Sequence, residues 1–301
     1  MISVEQALEK ILSYVNVLGE EQSPILGCLG QVLAEDIYSG ISVPPLDNSA
    51  MDGYALRSRD TGGASRRSPQ FLPVIGTVTA GSIPRYEAEP GTAIRIMTGA
   101  PIPKGADSVV AFEDTDETQH KGLPTKKVGI LCEAEAGLNI RRAGEDITRG
   151  AKVLSQGVVI RPSEVGVLAS LGRNTVTVIR RPTVAILATG DELVDVNQPL
   201  PPGKIYNSNT YSLAALVLRY GGIPRIMGIA LDSEQSLVAK LHQGLDADML
   251  ITAGGVSAGD YDVVKDVLVK EGEIAFWAVR MKPGKPLAFG TIKGIPLLGL
   301  P

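Results

Sequence analysis

From Arg181 onward the chain alternates short apolar runs with amphipathic stretches, and few folds accommodate that rhythm. Residues 183–188, 225–230, 249–252 and 274–279 have the length and apolar character of buried strands. Between them, residues 210–220, 234–243 and 261–270 read as helices that end at Gly221, Gly244 and Gly272. Asn209, Asp232 or Ser233, and Asp260 are candidate amino-terminal caps. Alternation of this kind predicts a parallel, doubly wound sheet. If the strands are parallel, the loops that follow them gather on one edge, where open α/β sheets bind ligands. Those loops are Thr189-Gly190-Asp191-Glu192, Asp232 with Ser233, the glycine-rich residues 254–260, and Lys282-Pro283-Gly284-Lys285-Pro286. Carboxylates and ammonium groups converging beside backbone amides imply a metal held against an anionic, phosphorylated substrate.

Upstream the pattern changes twice. Residues 3–18 carry Val4, Ala7, Leu8, Ile11, Leu12 and Val15 at helical spacing, with Ser3 and Gln6 as a capping box and Gly19 as the expected stop. Residues 40–160 are punctuated by Pro and Gly. Short β-type runs at 71–75, 92–97, 108–112 and 128–132 predict an all-β module, with residues 62–68 as a hairpin tip. Residues 162–171 read as a helix with Pro162 at its first position and Gly172 past its end.

Length and composition set the outer limits. A chain of 301 residues implies two or three domains. Twenty-nine basic against 33 acidic residues give a net charge of −4, so the basic footprint of a nucleic-acid binder is missing. Two cysteines, Cys28 and Cys132, and two histidines, His120 and His242, exclude a disulfide scaffold and a Cys/His zinc cluster. They fit a reducing compartment. No apolar run approaches the ~20 residues of a membrane span, and no signal-peptide layout opens the chain. The expectation is a soluble, cytoplasmic protein with no membrane or nucleic-acid partner.

Each motif has a plain structural reading beside its chemical one. Residues 254–260 match neither a P-loop nor a dinucleotide fingerprint, yet Gly254 and Gly255 permit close approach to a ligand, and Ser257, Asp260 and Asp262 follow. Asp191 or Glu192 could ligate Mg²⁺, which takes one or two carboxylates and keeps several waters. As an isolated pair they would be read as a cap, but Asp232 and Asp262 come from neighbouring strand ends. Lys282 and Lys285 suit phosphate or oxyanion binding as point charges. The segments around Asp52, Thr98 and Asp146 are as consistent with turns as with a site.

Taken in order, these segments resemble the molybdopterin molybdenumtransferase family, that of bacterial MoeA and the E domain of gephyrin. The likeness rests on Asn48-Ser49-Ala50-Met51-Asp52-Gly53-Tyr54-Ala55, Met97-Thr98-Gly99-Ala100-Pro101, Arg141-Arg142-Ala143-Gly144-Glu145-Asp146, Thr189-Gly190-Asp191-Glu192-Leu193, Gly254-Gly255-Val256-Ser257 and Lys282-Pro283-Gly284-Lys285-Pro286. The resemblance implies a multidomain α/β plus β protein: a MogA-like α/β domain at 177–301, an all-β module at 44–146, and a small α+β linking domain from 1–43 with 147–176. It implies adenylylated molybdopterin and molybdate as substrates, release of AMP, assistance from Mg²⁺, and a homodimer whose cleft lies between the α/β domain of one subunit and the β domain of the other. Asp52, Thr98 and Asp146 would line one wall. Glu192, Asp232 and Asp262 would hold Mg²⁺ or position the phosphoanhydride, with Asp191 as the alternative to Glu192 and Asp260 to Asp262. Gly254, Gly255 and Ser257 would cradle the pterin phosphate or nucleotide, and Lys282 and Lys285 the molybdate or leaving phosphate. The family continues with Gly-Leu-Pro-Gly-Asn-Pro and a further β domain where this sequence ends at Gly299-Leu300-Pro301, so a truncated form is expected. Two rival readings are a molybdopterin adenylyltransferase and a non-catalytic molybdopterin-binding scaffold.

Overall fold

The computed structural model describes residues 1–117, 126–255, 263–282 and 285–301. They form two compact units. One comprises Met1–Ala34, Val159–Arg161 and Thr175–Pro301, the other Glu35–Val158 and Pro162–Asn174.

The first unit opens with α1 (Val4–Leu12), whose capping box joins Ser3 and Gln6. Ala7, Ile11 and Tyr14 pack against Phe276, Val279 and Phe289, and the Tyr14 and Phe289 rings meet edge to face at 5.5 Å. The helix stops six residues before the expected Leu18. Ser13 is its cap. The Ser13 hydroxyl donates to the Lys10 carbonyl at 2.7 Å, and the N–H groups of Tyr14 and Val15 bond three residues back, which tightens and ends the last turn.

The remaining elements of the sheet are β1 (Thr183–Thr189), α2 (Ser208–Arg219), β2 (Ile223–Ala230), α3 (Glu234–Gln243), β3 (Met249–Ala253), α4 (Val263–Glu271), β4 (Gly272–Ala278), β5 (Pro286–Ile292) and β6 (Ile295–Leu300). Their order across the sheet is β2-β1-β3-β6-β5-β4. Strands β1, β2, β3 and β6 are mutually parallel. Strand β5 runs antiparallel to both its neighbours, so β4 points the same way as the parallel set. The parallel sheet expected from the sequence is therefore mixed. The reversal comes from a two-residue turn, Lys293-Gly294, with φ of 49° and 83°, the geometry that tight hairpins favour.

Alternate residues of the central strand serve opposite faces. Ala185 and Leu187 join Leu237 and Leu241 of α3 and Val264, Val267 and Leu268 of α4. Val184 and Ile186 join Leu213, Ala214 and Val217 of α2. Helices thus cover both faces, and the carboxyl ends of β1, β2, β3, β4 and β6 share one edge. At the opposite edge Asp248 accepts from both Nη atoms of Arg180 and, at 2.8 Å, from the Thr183 N–H. Helix α2 begins earlier than expected: Asn207 rather than Asn209 is its cap, accepting from the Thr210 N–H.

The second unit is built on a five-stranded sheet ordered Ser108–Ala111, Gly53–Leu56, Ala93–Ile96, Ser65–Val78 and Lys127–Cys132. Gly53–Leu56, wholly buried, lies inside the segment read as a turn. Only glycine fits at position 53, because a Cβ there would sit 2.0 Å from the Val110 carbonyl oxygen. Residues 65–68, expected at a hairpin tip, instead begin the long strand, with Ser65 opposite Cys132. Helix Pro162–Ser170 starts on its proline as expected. Gly172 follows at φ +71°.

Candidate functional site

Two groups of residues, one in each unit, carry the chemistry. In the first unit, β1 delivers Gly190, Asp191 and Glu192 and β2 delivers Asp232. The N–H of Asp191 donates to Asp232 Oδ2 at 3.3 Å, and the N–H of Asp232 donates to Asp191 Oδ1 at 3.1 Å. This exchange locks the two turns together and leaves one oxygen of each carboxylate free of it. Lys204 Nζ donates to the Asp191 carbonyl. Asp191, Glu192 and Asp232 are all exposed.

Beside this pair lies a cavity of about 190 Å³, lined among others by Thr189, Glu192, Tyr206, Asn209 and Gly254. Its floor depends on glycine. Gly254 has φ +90°, and a Cβ there would stand 2.5 Å from the Thr189 carbonyl oxygen. Gly255, at φ +67°, would meet Thr189 Oγ1 at 2.7 Å. The hydroxyls of Thr189 and Thr252 are buried without a hydrogen-bond partner among the described residues, an uncommon state for buried polar groups. Lys282 and Lys285 follow β4 on the same edge and are exposed; the Val279 N–H closes their loop by donating to the Lys285 carbonyl at 3.1 Å. Ser257, Asp260 and Asp262 lie outside the described residues.

In the second unit three distant segments fold into one local structure. The Ser49 N–H bonds to the Ala100 carbonyl, the Gly99 N–H to Ser49, the Ile102 N–H to Asp47 and the Ala50 N–H to Asn139. Asp52 Oδ1 accepts from both the Thr98 N–H at 2.6 Å and the Thr98 hydroxyl at 2.7 Å. Those bonds, with the Arg95 charge adding a little, hold the Asp52 carboxyl below the usual carboxylate range. Arg95 is fixed in turn by Glu117, 2.6 Å from its Nη2, and by the Phe112 ring 4.5 Å away. Asp47 accepts from Arg142 Nη1 and from the Ala143 N–H, both at 2.7 Å. Asp146 follows on that turn, its N–H bonded to the Val43 carbonyl, with its exposed side chain outside the Asp52–Thr98 pair.

The structure therefore joins Asp52 to Thr98, Asp191 to Asp232, and Glu192 to Gly254 across one cavity. Among the described residues no three carboxylate, His or Cys side chains cluster as a metal site. The two-carboxylate set at Asp191 and Asp232, with oxygens to spare, nonetheless suits Mg²⁺, which needs few protein ligands. Sequence reading placed Thr189 in the ligand-edge loop without giving it a role, and it missed Tyr206, Ser208 and Lys204. The run Asn207-Ser208-Asn209 after Tyr206 was the available signal, since polar residues ahead of a helix can face a ligand as well as cap.

Comparison with known proteins gives matches along nearly the whole chain. The MoeA N-terminal region (domain I and II) matches residues 2–172, and the probable molybdopterin binding domain matches residues 185–301. Molybdopterin molybdenumtransferase 2 of Mycobacterium tuberculosis is 41% identical over 285 residues, covering 92% of this chain and 69% of that protein. The molybdopterin molybdenumtransferase of Nostoc sp. is 38% identical over 310 residues, covering 100% and 70%. Two crystal structures of the molybdopterin biosynthesis MoeA protein of Pyrococcus horikoshii align with TM-scores of 0.82 and 0.81 at 37% and 31% identity. They cover 100% and 99% of this chain, which spans 74% of each.

Proposed function

The chain belongs to the molybdopterin molybdenumtransferase family, and from that premise we propose that it inserts molybdenum from molybdate into adenylylated molybdopterin and releases AMP. The observation that carries the reading is the carboxyl edge of the first unit's sheet. There Glu192 and Gly254 line one cavity, and the locked Asp191–Asp232 pair stands at the neighbouring strand ends.

The residues divide the work by charge. AMP leaves with negative charge on its phosphate, and cationic or N–H groups at that point lower the barrier. Lys282 and Lys285 supply positive charge near the edge, for molybdate or the departing phosphate. Gly254 and Gly255 let main-chain N–H groups approach the substrate without a side chain between. Asp191, Glu192 and Asp232 would hold Mg²⁺, with Asp262 as a further candidate; bound there, the ion would offset charge on the phosphoanhydride. Asp52, kept ionised by Thr98, together with Asp146 would orient the other face of the substrate. The resemblance further implies a cytoplasmic homodimer in which each active centre takes Asp52 and Thr98 from one subunit and Glu192 and Asp232 from the other.

A subunit-mixing experiment tests this reading. D52A and E192A are each expected to lose molybdate-dependent AMP release. An equimolar mixture should regain about a quarter of wild-type activity, because half of its molecules are mixed dimers and each of these has one of its two centres intact. Loss of activity in neither variant would refute the site. Activity lost in both but never recovered on mixing would refute the shared centre.

A further inference from the structure

The second unit holds a buried ion pair beside Asp52. Arg95 donates through Nε, at 3.1 Å, and Nη2, at 2.6 Å, to the same oxygen, Glu117 Oε1. Glu117 is 2% exposed, and its Oε2 is buried with no hydrogen-bond partner among the described residues. The third guanidinium nitrogen, Arg95 Nη1, meets the Met97 sulfur at 4.0 Å. Bidentate contact is the stronger arrangement of such a pair. This one loads a single oxygen, while removal from water costs both charges, so stability alone does not account for it. Its place is informative. Strand register sets Arg95 opposite Tyr54. The Phe112 N–H donates to the Asp52 carbonyl at 3.1 Å. The Phe112 ring lies 4.5 Å from the Arg95 guanidinium and meets Tyr54 edge to face at 5.6 Å. Arg95 and Asp52 thus share Phe112 as a common support.

We propose that Arg95 is a positioning residue that acts through Asp52: its charge, held in place by Glu117 and Phe112, steadies the Asp52 carboxylate in its Thr98 contact, and Glu117 limits how much of that charge Asp52 feels. What Asp52 does to the substrate rests on the transferase reading; the link between Arg95 and Asp52 does not. The electrostatics agree with the geometry. The Thr98 N–H and hydroxyl are the main causes that hold the Asp52 carboxyl below its usual range, and Arg95 is the charged group that adds to them. Glu117 and the Tyr54 phenol are the groups that face Arg95 in turn. Burial, and then Glu117, push the phenol's pKa up, so it stays neutral beside the pair. Glu113 and Asp114, on the turn that begins at Phe112, are exposed.

Carbon-13 titration of the Asp52 carboxyl in the full chain, its signal assigned through D52N, tests this on R95Q, R95K and E117Q. R95Q removes the cation and should raise the Asp52 pKa. R95K keeps the charge while losing the planar fork and should leave the value near that of the wild type. E117Q keeps an acceptor for Arg95 but no opposing charge, so the Asp52 pKa should fall. A purely structural pair predicts otherwise, because any variant that loosens this corner frees Asp52 from Thr98 and raises its pKa. The contrast between R95Q and R95K and the sign in E117Q are independent, so one variant that fails to fold leaves the other test standing. An Asp52 pKa that does not fall in E117Q, or that shifts as far in R95K as in R95Q, would overturn the proposal. Release of AMP from adenylylated molybdopterin is the second readout: it should drop several-fold in R95Q and recover in R95K. Unchanged release in R95Q, or equal loss in both variants, would also overturn it. Carboxyl shifts as stated, with no AMP released by the wild type, would retain the link between Arg95 and Asp52 and refute the transferase reading instead.

Discussion

Replacing Gly254 by Ala puts the glycine turn at the centre of the site under direct test. At φ +90° an L-residue pays roughly 1–2 kcal/mol for left-handed backbone. The new Cβ would also lie 2.5 Å from the Thr189 carbonyl oxygen. That oxygen cannot retreat freely, because Thr189 is held in register opposite Ala230. Overpacking of this kind adds roughly 1–3 kcal/mol, for a total of about 2–5 kcal/mol. Gly30→Ala is the control: φ is +81°, and nothing lies within 4 Å of the added carbon, so only the backbone cost of roughly 1–2 kcal/mol applies. Both glycines lie in the first unit. So does Trp277 of β4, the sole tryptophan of the sequence, and its fluorescence during urea unfolding reports on that unit alone. Gly254→Ala should lower the midpoint clearly more than Gly30→Ala. Equal midpoints for the two variants would refute the close-approach argument.

Other expectations follow from single contacts. Asp248 is held below the usual carboxylate range by its bonds from Arg180, then Thr183, against the cost of burial. Its contribution is therefore complete above about pH 4 and fades as pH falls through the lowered folded value. The stability gap between wild type and D248N, about 1–3 kcal/mol at neutral pH, should close on acidification; a gap constant down to pH 2 would contradict the assignment. Thr98→Val removes one of the two bonds on Asp52 and should raise that carboxyl's pKa, read by carbon-13 NMR titration; an unmoved value would mean the hydroxyl contributes nothing. Asp232→Asn should weaken Mg²⁺ binding about tenfold or more while the mutual N–H bonds keep the fold, and calorimetry showing equal affinity would remove Asp232 from the metal set.

Elements whose apolar runs ended in strong punctuation were legible in the sequence. Glu234–Gln243 has its cap at Ser233 and its stop at Gly244, and β1, β2, β3 and β4 lie where apolar runs follow a turn. The hairpin of β5 and β6 escaped because its turn is Lys293-Gly294, without the Asn-Gly or Asp-Gly signal of such turns. Gly53–Leu56 escaped because four buried residues inside a polar, turn-rich segment show no alternation. Helix α2 starts at Ser208 and not later because Asn207, 3% exposed, turns its side chain back onto the helix. The carboxylates of the sheet edge could be inferred from strand direction alone. The pairing of Asp52 with Thr98, 46 residues apart, could not: it depends on the register of Gly53–Leu56 with Ala93–Ile96. That the Thr189 hydroxyl is buried without a partner among the described residues is likewise a property of packing, which no spacing rule encodes.

Stoichiometry tests the central claim most directly. Adenylylated molybdopterin, molybdate and Mg²⁺ are incubated with the chain, and the AMP released is compared with the molybdenum retained on the pterin. The proposed function requires the two to rise together in equal amounts, and both to fall in E192Q. AMP release without molybdate, or molybdenum loading with no AMP formed, would contradict it.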